Sequence, residues 1–255
     1  IVLEMSVTPY VEIGVALFCF AAFYSTCIWL EEQRIVSAVS SGILWGVCLG
    51  SKYTAVLFFV LAFPLLLIFF WKKISVSQLV WLVFILFLVS FPWYLRNKYY
   101  SGDWFFPLFL NEINNKGIWS LSDVKGQVGH WRGFGMGRNI RDFYMLPINL
   151  LLHGNRFEGN LGIFQIFFIC SFLLIKKWDR IIAVILLIVL VYMFFWFRFF
   201  SVIRYLFPII PFLSILSARF FEPCCFKRKY WVFLVTLAVL FFGFINISRM
   251  VHEQG

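Results

Sequence analysis

The chain has 255 residues, of which 62% are hydrophobic and 13% are charged, and its mean hydropathy is +0.90. Soluble domains have about 45–50% apolar and about 25% charged residues, so this chain cannot cover an apolar core with polar surface. The composition excludes a disordered chain, a disulfide-stapled secreted domain and an ordinary nucleic-acid-binding protein, and it predicts an integral membrane protein. The net charge of +10 then fits basic residues beside membrane spans, which set topology and contact anionic lipids.

The chain start and the cysteines give two further expectations. The sequence begins Ile1-Val2-Leu3-Glu4, with no initiator Met and no basic region before an apolar run. We therefore expect a fragment that lacks its N-terminal part. The six cysteines show no CxxC or Cys/His ligand spacing, so we expect packed or lipid-facing thiols.

Eight apolar runs are candidates to cross about 30 Å of hydrocarbon as helices, although several of them are short. None shows the alternating polar residues of a membrane strand. The predicted fold class is therefore all-α, a polytopic helical membrane protein with one transmembrane domain over residues 1–255. The predicted spans cover residues 10–30, 35–50, 53–71, 78–94, 161–175, 181–197, 205–221 and 231–247.

Basic residues between the spans predict the orientation. Lys72, Lys73 and the basic clusters at 176–180 and 227–229 fall on one side if the spans alternate, and basic loops favour the cytoplasm. The polar segment 96–160 then faces outward. Its many aromatic residues predict an ordered extracytoplasmic loop rather than a disordered tether, with a short helix over residues 141–152.

Glu12 is a candidate functional residue because it lies about one turn inside the outer end of the first span. An ionisable group at that depth costs free energy unless it is paired or used, so it suggests a function. The alternative is a solvated interfacial carboxylate that stabilises the helix N-terminus.

Four cations gather near one depth on the predicted outer side: Lys52, Arg96, Arg198 and Arg204. Guanidinium and ammonium groups at a membrane interface suit a lipid phosphate or diphosphate. The alternative is that each side chain extends to the lipid headgroups, as long basic side chains commonly do.

The outer loop contains a glycine-rich stretch that also carries His130, Arg132 and Arg138. Glycines allow close backbone approach to a ligand, but the spacing matches neither a P-loop nor a dinucleotide-binding fingerprint. Ordinary loop geometry is the alternative. The three histidines are too scattered for a metal site, so we predict none.

Five stretches together resemble polytopic glycosyltransferases of the C superfamily, in the bacterial branch related to protein O-mannosyltransferases and aminoarabinose transferases. They are GVCLGSKYT at 46–54, PWYLRN at 92–97, SGDWFFP at 101–107, FEGNLG at 157–162 and RYLFPIIP at 204–211. Their order and predicted membrane side agree with the topology above, and together they span most of the chain.

The resemblance implies transfer of a sugar from a polyprenyl-phosphate donor to a glycan, lipid or protein acceptor at the outer face of the bacterial inner membrane. Glu12 resembles the family's acid at the start of a later span, and the acid of the first outer loop would lie before Ile1, so the activity of residues 1–255 alone is left open. Asp103 stands where the family usually has Asn.

Site roles follow from this resemblance and from the chemistry of the residues. Glu12 is expected to be catalytic, as the base for the acceptor or as the group that orients it. Cations stabilise the charge that develops on a departing phosphate. We assign that role to Lys52, Arg96 and Arg204. Loop residues that could contact donor or acceptor are Asp103, His130, Arg132 and Arg138.

The donor is a substrate, so no cofactor is expected, and a divalent metal is left open. Membrane lipids are expected partners, and nucleic acid is not.

Two other classes of protein also have many spans with embedded charges: a transporter or flippase, and a non-catalytic assembly subunit. Transporters bind near the midplane between internal repeats, whereas these charges lie at one face and no repeat is visible.

Overall fold

The computed structural model describes residues 11–105, 126, 129–130, 133–159 and 179–225. This described part is built from helices without a strand, which confirms the all-α class. Short 3-10 helices over Trp71–Lys73, Gly154–Phe157 and Ile203–Ile209 connect the longer elements. The α-helices are α1 (Glu12–Glu32), α2 (Ile35–Ser51), α3 (Tyr53–Phe69), α4 (Val76–Ser101), α5 (Ile140–Tyr144), α6 (Leu146–Leu152), α7 (Arg180–Phe199) and α8 (Ile210–Cys225).

Three of the described helices are long and apolar enough to cross a membrane: α1 with 21 residues, α4 with 26 and α7 with 20. The apolar helices α2 and α3 have 17 residues each, which corresponds to about 25 Å at 1.5 Å per residue. The chain is thus a membrane protein with at least three helices of spanning length in its described part. The predicted spans at 161–175 and 231–247 lie outside the described residues.

Two predicted boundaries differ most from the structure, and a proline lies near each. Helix α4 continues through Pro92 to Ser101, so the outer loop begins at Gly102 instead of residue 96. A membrane helix tolerates proline because neighbouring groups satisfy the freed backbone atoms. The predicted span 205–221 begins instead as a 3-10 helix that contains Pro208, and α8 follows it.

Glycines let α2 lie close against α4. A Cβ added at Gly42 would lie 2.6 Å from the backbone oxygen of Leu82, and one added at Gly46 would lie 2.6 Å from Cβ of Val89. The four-residue spacing places both glycines on one helix face, the arrangement by which small residues bring membrane helices together. This close contact packs α4 against α2.

Buried polar side chains join α1 to α2. Thr26 Oγ1 lies 2.7 Å from Ser41 Oγ, and it accepts a hydrogen bond from Trp45 Nε1 at 2.8 Å. Nearer the start of α1, the sulfur atoms of Cys19 and Cys48 are 3.4 Å apart at the same interface. Hydrogen bonds made inside an apolar bundle fix the register of the two helices because leaving these groups unpaired is costly.

One end of the bundle, which we call the Glu12 end, gathers the start of α1, the start of α3 and the last turns of α7. Lys52 contacts Glu12, and the Tyr192 hydroxyl lies 2.8 Å from the backbone oxygen of Tyr205 and 3.5 Å from that of Thr54. The helices therefore place residues far apart in sequence around one small volume.

The opposite end, which we call the Gln78 end, joins the end of α1 to the start of α4. Trp29 Nε1 donates to Gln78 Oε1 at 2.8 Å, and Gln78 Nε2 donates to the backbone oxygen of Gln33 at 2.7 Å. Lys72 and Lys73 lie in the 3-10 helix between α3 and α4 at this end. Lys72 and Lys73 thus lie at the end opposite Glu12, as predicted, whereas Lys176, Lys177 and the cluster at 227–229 lie outside the described residues.

Candidate functional site

Glu12 is the first residue of α1 and is 3% exposed. Its Oε1 atom accepts from Lys52 Nζ at 2.5 Å. Its Oε2 atom is buried and has no hydrogen-bond partner within the described ranges. A carboxylate oxygen has two lone-pair positions, so this arrangement fixes one oxygen and leaves the other buried with unused acceptor positions.

Lys52 is the single residue between α2 and α3, and this position places it at the Glu12 end of the bundle. Its backbone is extended, with φ −164° and ψ 150°, so α2 ends at Ser51 and α3 starts at Tyr53. The Lys52 ammonium also lies 5.1 Å from the ring centroid of Tyr205. The favourable interaction of a cation with an aromatic face supplements the ion pair where water is scarce.

Arg204 forms a second ion pair on the same aromatic ring. Its Cζ atom is 5.5 Å from the Tyr205 centroid, and its Nε atom is 3.3 Å from Glu158 Oε2. Glu158 follows the 3-10 helix Gly154–Phe157 in a left-handed conformation, with φ 60°. Our sequence reasoning did not assign Glu158 a role, although it lies in one of the stretches that carry the family resemblance.

The structure brings Lys52 and Arg204 together but changes their expected electrostatics. Each cation is paired with a carboxylate, because an unpaired charge is costly where water is limited. The centre is therefore two adjacent ion pairs around Tyr205 instead of a cluster of unopposed cations. This neutral pairing was invisible in the sequence because the partners are 40 or more residues apart.

Arg96 does not join this centre. It is exposed on α4, and its Cζ atom is 5.5 Å from the ring centroid of Trp93 and 6.0 Å from that of Tyr100. Arg198 is also exposed, in the last turn of α7. Both positions fit side chains that extend toward lipid headgroups.

The loop residues have separate environments. Arg138 donates to the backbone oxygens of Phe197 and Phe134, so it satisfies carbonyl groups near the end of α7. The His130 ring packs edge-on against Phe134, with 5.1 Å between centroids. Arg132 lies outside the described residues. Among the described residues, no group of three or more His, Cys, Asp or Glu could hold a metal ion.

Asp103 is the buried acid of the turn after α4, at 5% exposure. Its Oδ1 atom accepts from the backbone nitrogen of Phe105 at 3.0 Å. Its Oδ2 atom is buried and has no hydrogen-bond partner in the part of the chain that the structure describes. Asn97 connects this turn to the start of α3, since its Nδ2 atom is 3.2 Å from Tyr53 Oη and 3.4 Å from the backbone oxygen of Trp104.

An apolar pocket of about 490 Å³ adjoins the ion pairs. The volume is in the range of small-molecule sites, about 300–1,000 Å³. The start of α3 and the last turns of α7 form most of its wall. Its lining residues are Lys52, Tyr53, Thr54, Val56, Leu57, Tyr192, Phe195, Trp196, Phe199, Phe200 and Tyr205. The pocket can thus hold a hydrocarbon segment whose charged end lies at Lys52.

No protein-family model, curated protein or solved structure matches the chain. The functional conclusion therefore rests on the residues of the Glu12 end.

Proposed function

We propose that the protein is a membrane glycosyltransferase of the C-superfamily type, which transfers a sugar from a polyprenyl-phosphate donor to an acceptor at the outer face of the membrane. The observation that carries this proposal is the position of Glu12. A buried carboxylate with one oxygen fixed by Lys52 lies beside an apolar pocket that Lys52 also lines. Such a reaction requires three elements: a general base, a cation for the leaving group, and a surface that binds the lipid.

The reaction assigns a distinct task to each element. The acceptor hydroxyl or amine attacks the anomeric carbon, the bond from that carbon to the phosphate oxygen breaks, and the acceptor proton goes to Glu12 Oε2. A positioned base typically contributes roughly 10²–10⁴-fold to such a step. Lys52 and Arg204 stabilise the charge on the departing lipid phosphate.

Lys52 has a second task in this proposal, because it holds the Glu12 carboxylate in place. Its Nζ atom contacts Glu12 Oε1 and lies over Tyr205, so base and leaving-group cation are fixed relative to one another. Arg96 contacts lipid headgroups outside this centre. Asp103 is our candidate for a hydrogen bond to the acceptor, because its Oδ2 atom is buried without a described partner.

The location of the pocket favours an enzyme over a transporter. Secondary transporters bind substrate near the bilayer midplane, whereas the pocket and both ion pairs lie at the Glu12 end. An enzyme needs its lipid donor and its aqueous acceptor to meet, and they meet at the membrane surface.

A transfer assay tests the proposal. The full chain in proteoliposomes receives synthetic polyprenyl phosphates that carry a radiolabelled hexose or pentose, together with envelope lipids, glycans and proteins as acceptors. We expect labelled product, and Glu12→Gln should lower turnover per folded molecule by about 10²-fold or more. Donor affinity should stay within a few-fold of wild type. Glu31→Gln, the same change at an exposed residue near the Gln78 end, should leave turnover unchanged.

Each contrary result identifies a different error. Equal turnover in Glu12→Gln and wild type would remove Glu12 from the reaction. Movement of intact donor between leaflets without sugar transfer would indicate a flippase. Donor binding without transfer or movement would indicate an assembly subunit.

A further inference from the structure

Two ion pairs meet at the Tyr205 ring, and they differ in their distance and in how exposed the carboxylate side chain is. The Glu12 side chain, which pairs with Lys52 at 2.5 Å, is 4% exposed. The Glu158 side chain, which pairs with Arg204 at 3.3 Å, is 34% exposed. Water and ligands therefore reach the Glu158 side chain more readily than the Glu12 side chain, although the paired atoms Glu158 Oε2 and Arg204 Nε are themselves buried.

The backbone at Glu158 also differs from that of a residue in a regular element. Glu158 follows a 3-10 helix with φ 60°, and Gly159 follows it with φ 148°. Its carboxylate is therefore carried by a turn, whereas Arg204 belongs to the 3-10 helix Ile203–Ile209 that packs against α1. In an exchange of partners, the carboxylate is the group that leaves and the guanidinium is the group that stays.

A phosphate is a stronger partner for Arg204 than this carboxylate. A partly exposed ion pair contributes little because water screens it and two side chains must be ordered. A phosphate can accept two parallel charge-assisted hydrogen bonds from one guanidinium. Tyr205 lies against Arg204 and also lines the apolar pocket, so one amphiphile can place its phosphate at Arg204 and its chain in the pocket.

We propose that Glu158 is an exchangeable counter-ion of Arg204, which holds the guanidinium until the phosphate group of a lipid-like ligand replaces it. The identity of that ligand as a sugar donor rests on the proposed function, but the exchange itself does not. Glu158 opposes every anion at Arg204, so a ligand must gain further free energy from the pocket. The pocket then supplies the preference for phosphates that carry a hydrocarbon chain over free phosphate, because Glu158 weakens the binding of both.

The test measures the affinity of dodecyl phosphate for the full chain in phosphatidylcholine nanodiscs by titration calorimetry, with empty nanodiscs subtracted. Glu158→Gln should tighten binding by about two- to five-fold, the gain expected from removing a partly exposed competing ion pair. Glu158→Asp keeps the charge but retracts it by one methylene, so it should tighten binding by a smaller factor. Glu31→Gln should bind as wild type does.

The Arg204→Gln background shows whether the effect passes through Arg204. There, Glu158→Gln should change affinity by less than two-fold. An equal gain in affinity in both backgrounds, or wild-type affinity in both Glu158 variants, would overturn the exchange.

Glycerol phosphate and inorganic phosphate are titrated in the same way as phosphates without a hydrocarbon chain. Binding of either as tight as that of dodecyl phosphate would overturn the selection of amphiphiles.

Each variant is used only if it elutes from size-exclusion chromatography as a single folded species. If Glu158→Gln does not fold, Glu158→Asp decides the test.

Two measurements, dodecyl phosphate binding and sugar transfer, separate this proposal from the proposed function. Tighter binding through Arg204 in a protein that transfers no sugar supports the exchange and removes the enzyme. Sugar transfer with unchanged binding in the Glu158 variants supports the enzyme and removes the exchange.

Discussion

Replacing Lys52 with Gln should destabilise the protein more than replacing its partner Glu12 with Gln. Lys52→Gln leaves a carboxylate that is 3% exposed without the cation that contacts it. Removing one member of a buried ion pair costs about 3–5 kcal/mol. The Lys52 side chain is 26% exposed, so water screens part of the interaction, and we expect a loss of about 2–3 kcal/mol.

The reverse change leaves a charge that can reach water. Lys52 has a flexible stem and partial exposure, so in Glu12→Gln its ammonium can extend to the interface. We expect a loss of about 1 kcal/mol for this variant. The double variant contains no uncompensated charge and should lose less than the sum of the single variants, with a coupling of about 1–2 kcal/mol.

The assay is reversible unfolding of the full chain in mixed micelles with increasing sodium dodecyl sulfate, followed by tryptophan fluorescence. Lys98→Gln is the matched control, because Lys98 is exposed at the same end of the bundle and its Nζ atom contacts a backbone oxygen, that of Gly102, instead of a carboxylate. It should change stability by less than about 0.5 kcal/mol. Strictly additive losses, or a larger loss for Glu12→Gln than for Lys52→Gln, would refute the asymmetric ion pair.

Two further predictions concern packing and orientation. Gly46→Ala should lower the free energy of unfolding by about 1–3 kcal/mol, because its Cβ would lie 2.6 Å from Val89. Gly50→Ala is the control, because its Cβ would have its nearest neighbour 3.8 Å away, and it should be neutral or slightly stabilising. Equal effects in the same unfolding assay would contradict the close contact of α2 and α4. In a chain whose native cysteines are replaced by alanine, Lys98→Cys should react with an impermeant maleimide added to intact cells while Lys72→Cys should not. The opposite labelling pattern would show that the Glu12 end faces the cytoplasm.

Apolar run length predicted the helices well where each run ends at a polar residue. The predicted spans 35–50 and 181–197 correspond to helices over Ile35–Ser51 and Arg180–Phe199. A hydrophobic run reports where a segment is apolar but not where its backbone stops being helical. Helix α4 therefore continues past the end of its apolar run, and the span predicted from residue 205 begins as a 3-10 helix.

The candidate site was predicted as a set of residue types and not as an arrangement. Sequence reasoning selected Glu12, Lys52 and Arg204 by their depth at one predicted face. The pairing of Glu12 with Lys52, and of Arg204 with Glu158, depends on which helix ends are neighbours in space. One sequence does not contain that information, so the sequence analysis proposed a group of cations and assigned them no carboxylate partners. The apolar pocket was missed for the same reason, because α3 and α7 form it jointly.

Photo-crosslinking tests most directly whether the ion pairs and the apolar pocket form one substrate site. The full chain in liposomes is irradiated with a polyprenyl phosphate analogue that carries a diazirine in its hydrocarbon chain, and mass spectrometry locates the modified residues. We expect modification within 53–57 and 192–200, which unlabelled polyprenyl phosphate should suppress and Arg204→Gln should weaken. Modification spread over the exposed face of α4, at residues such as Phe84, Phe87 and Leu88, with none at the pocket, would contradict a lipid-phosphate site at the Glu12 end.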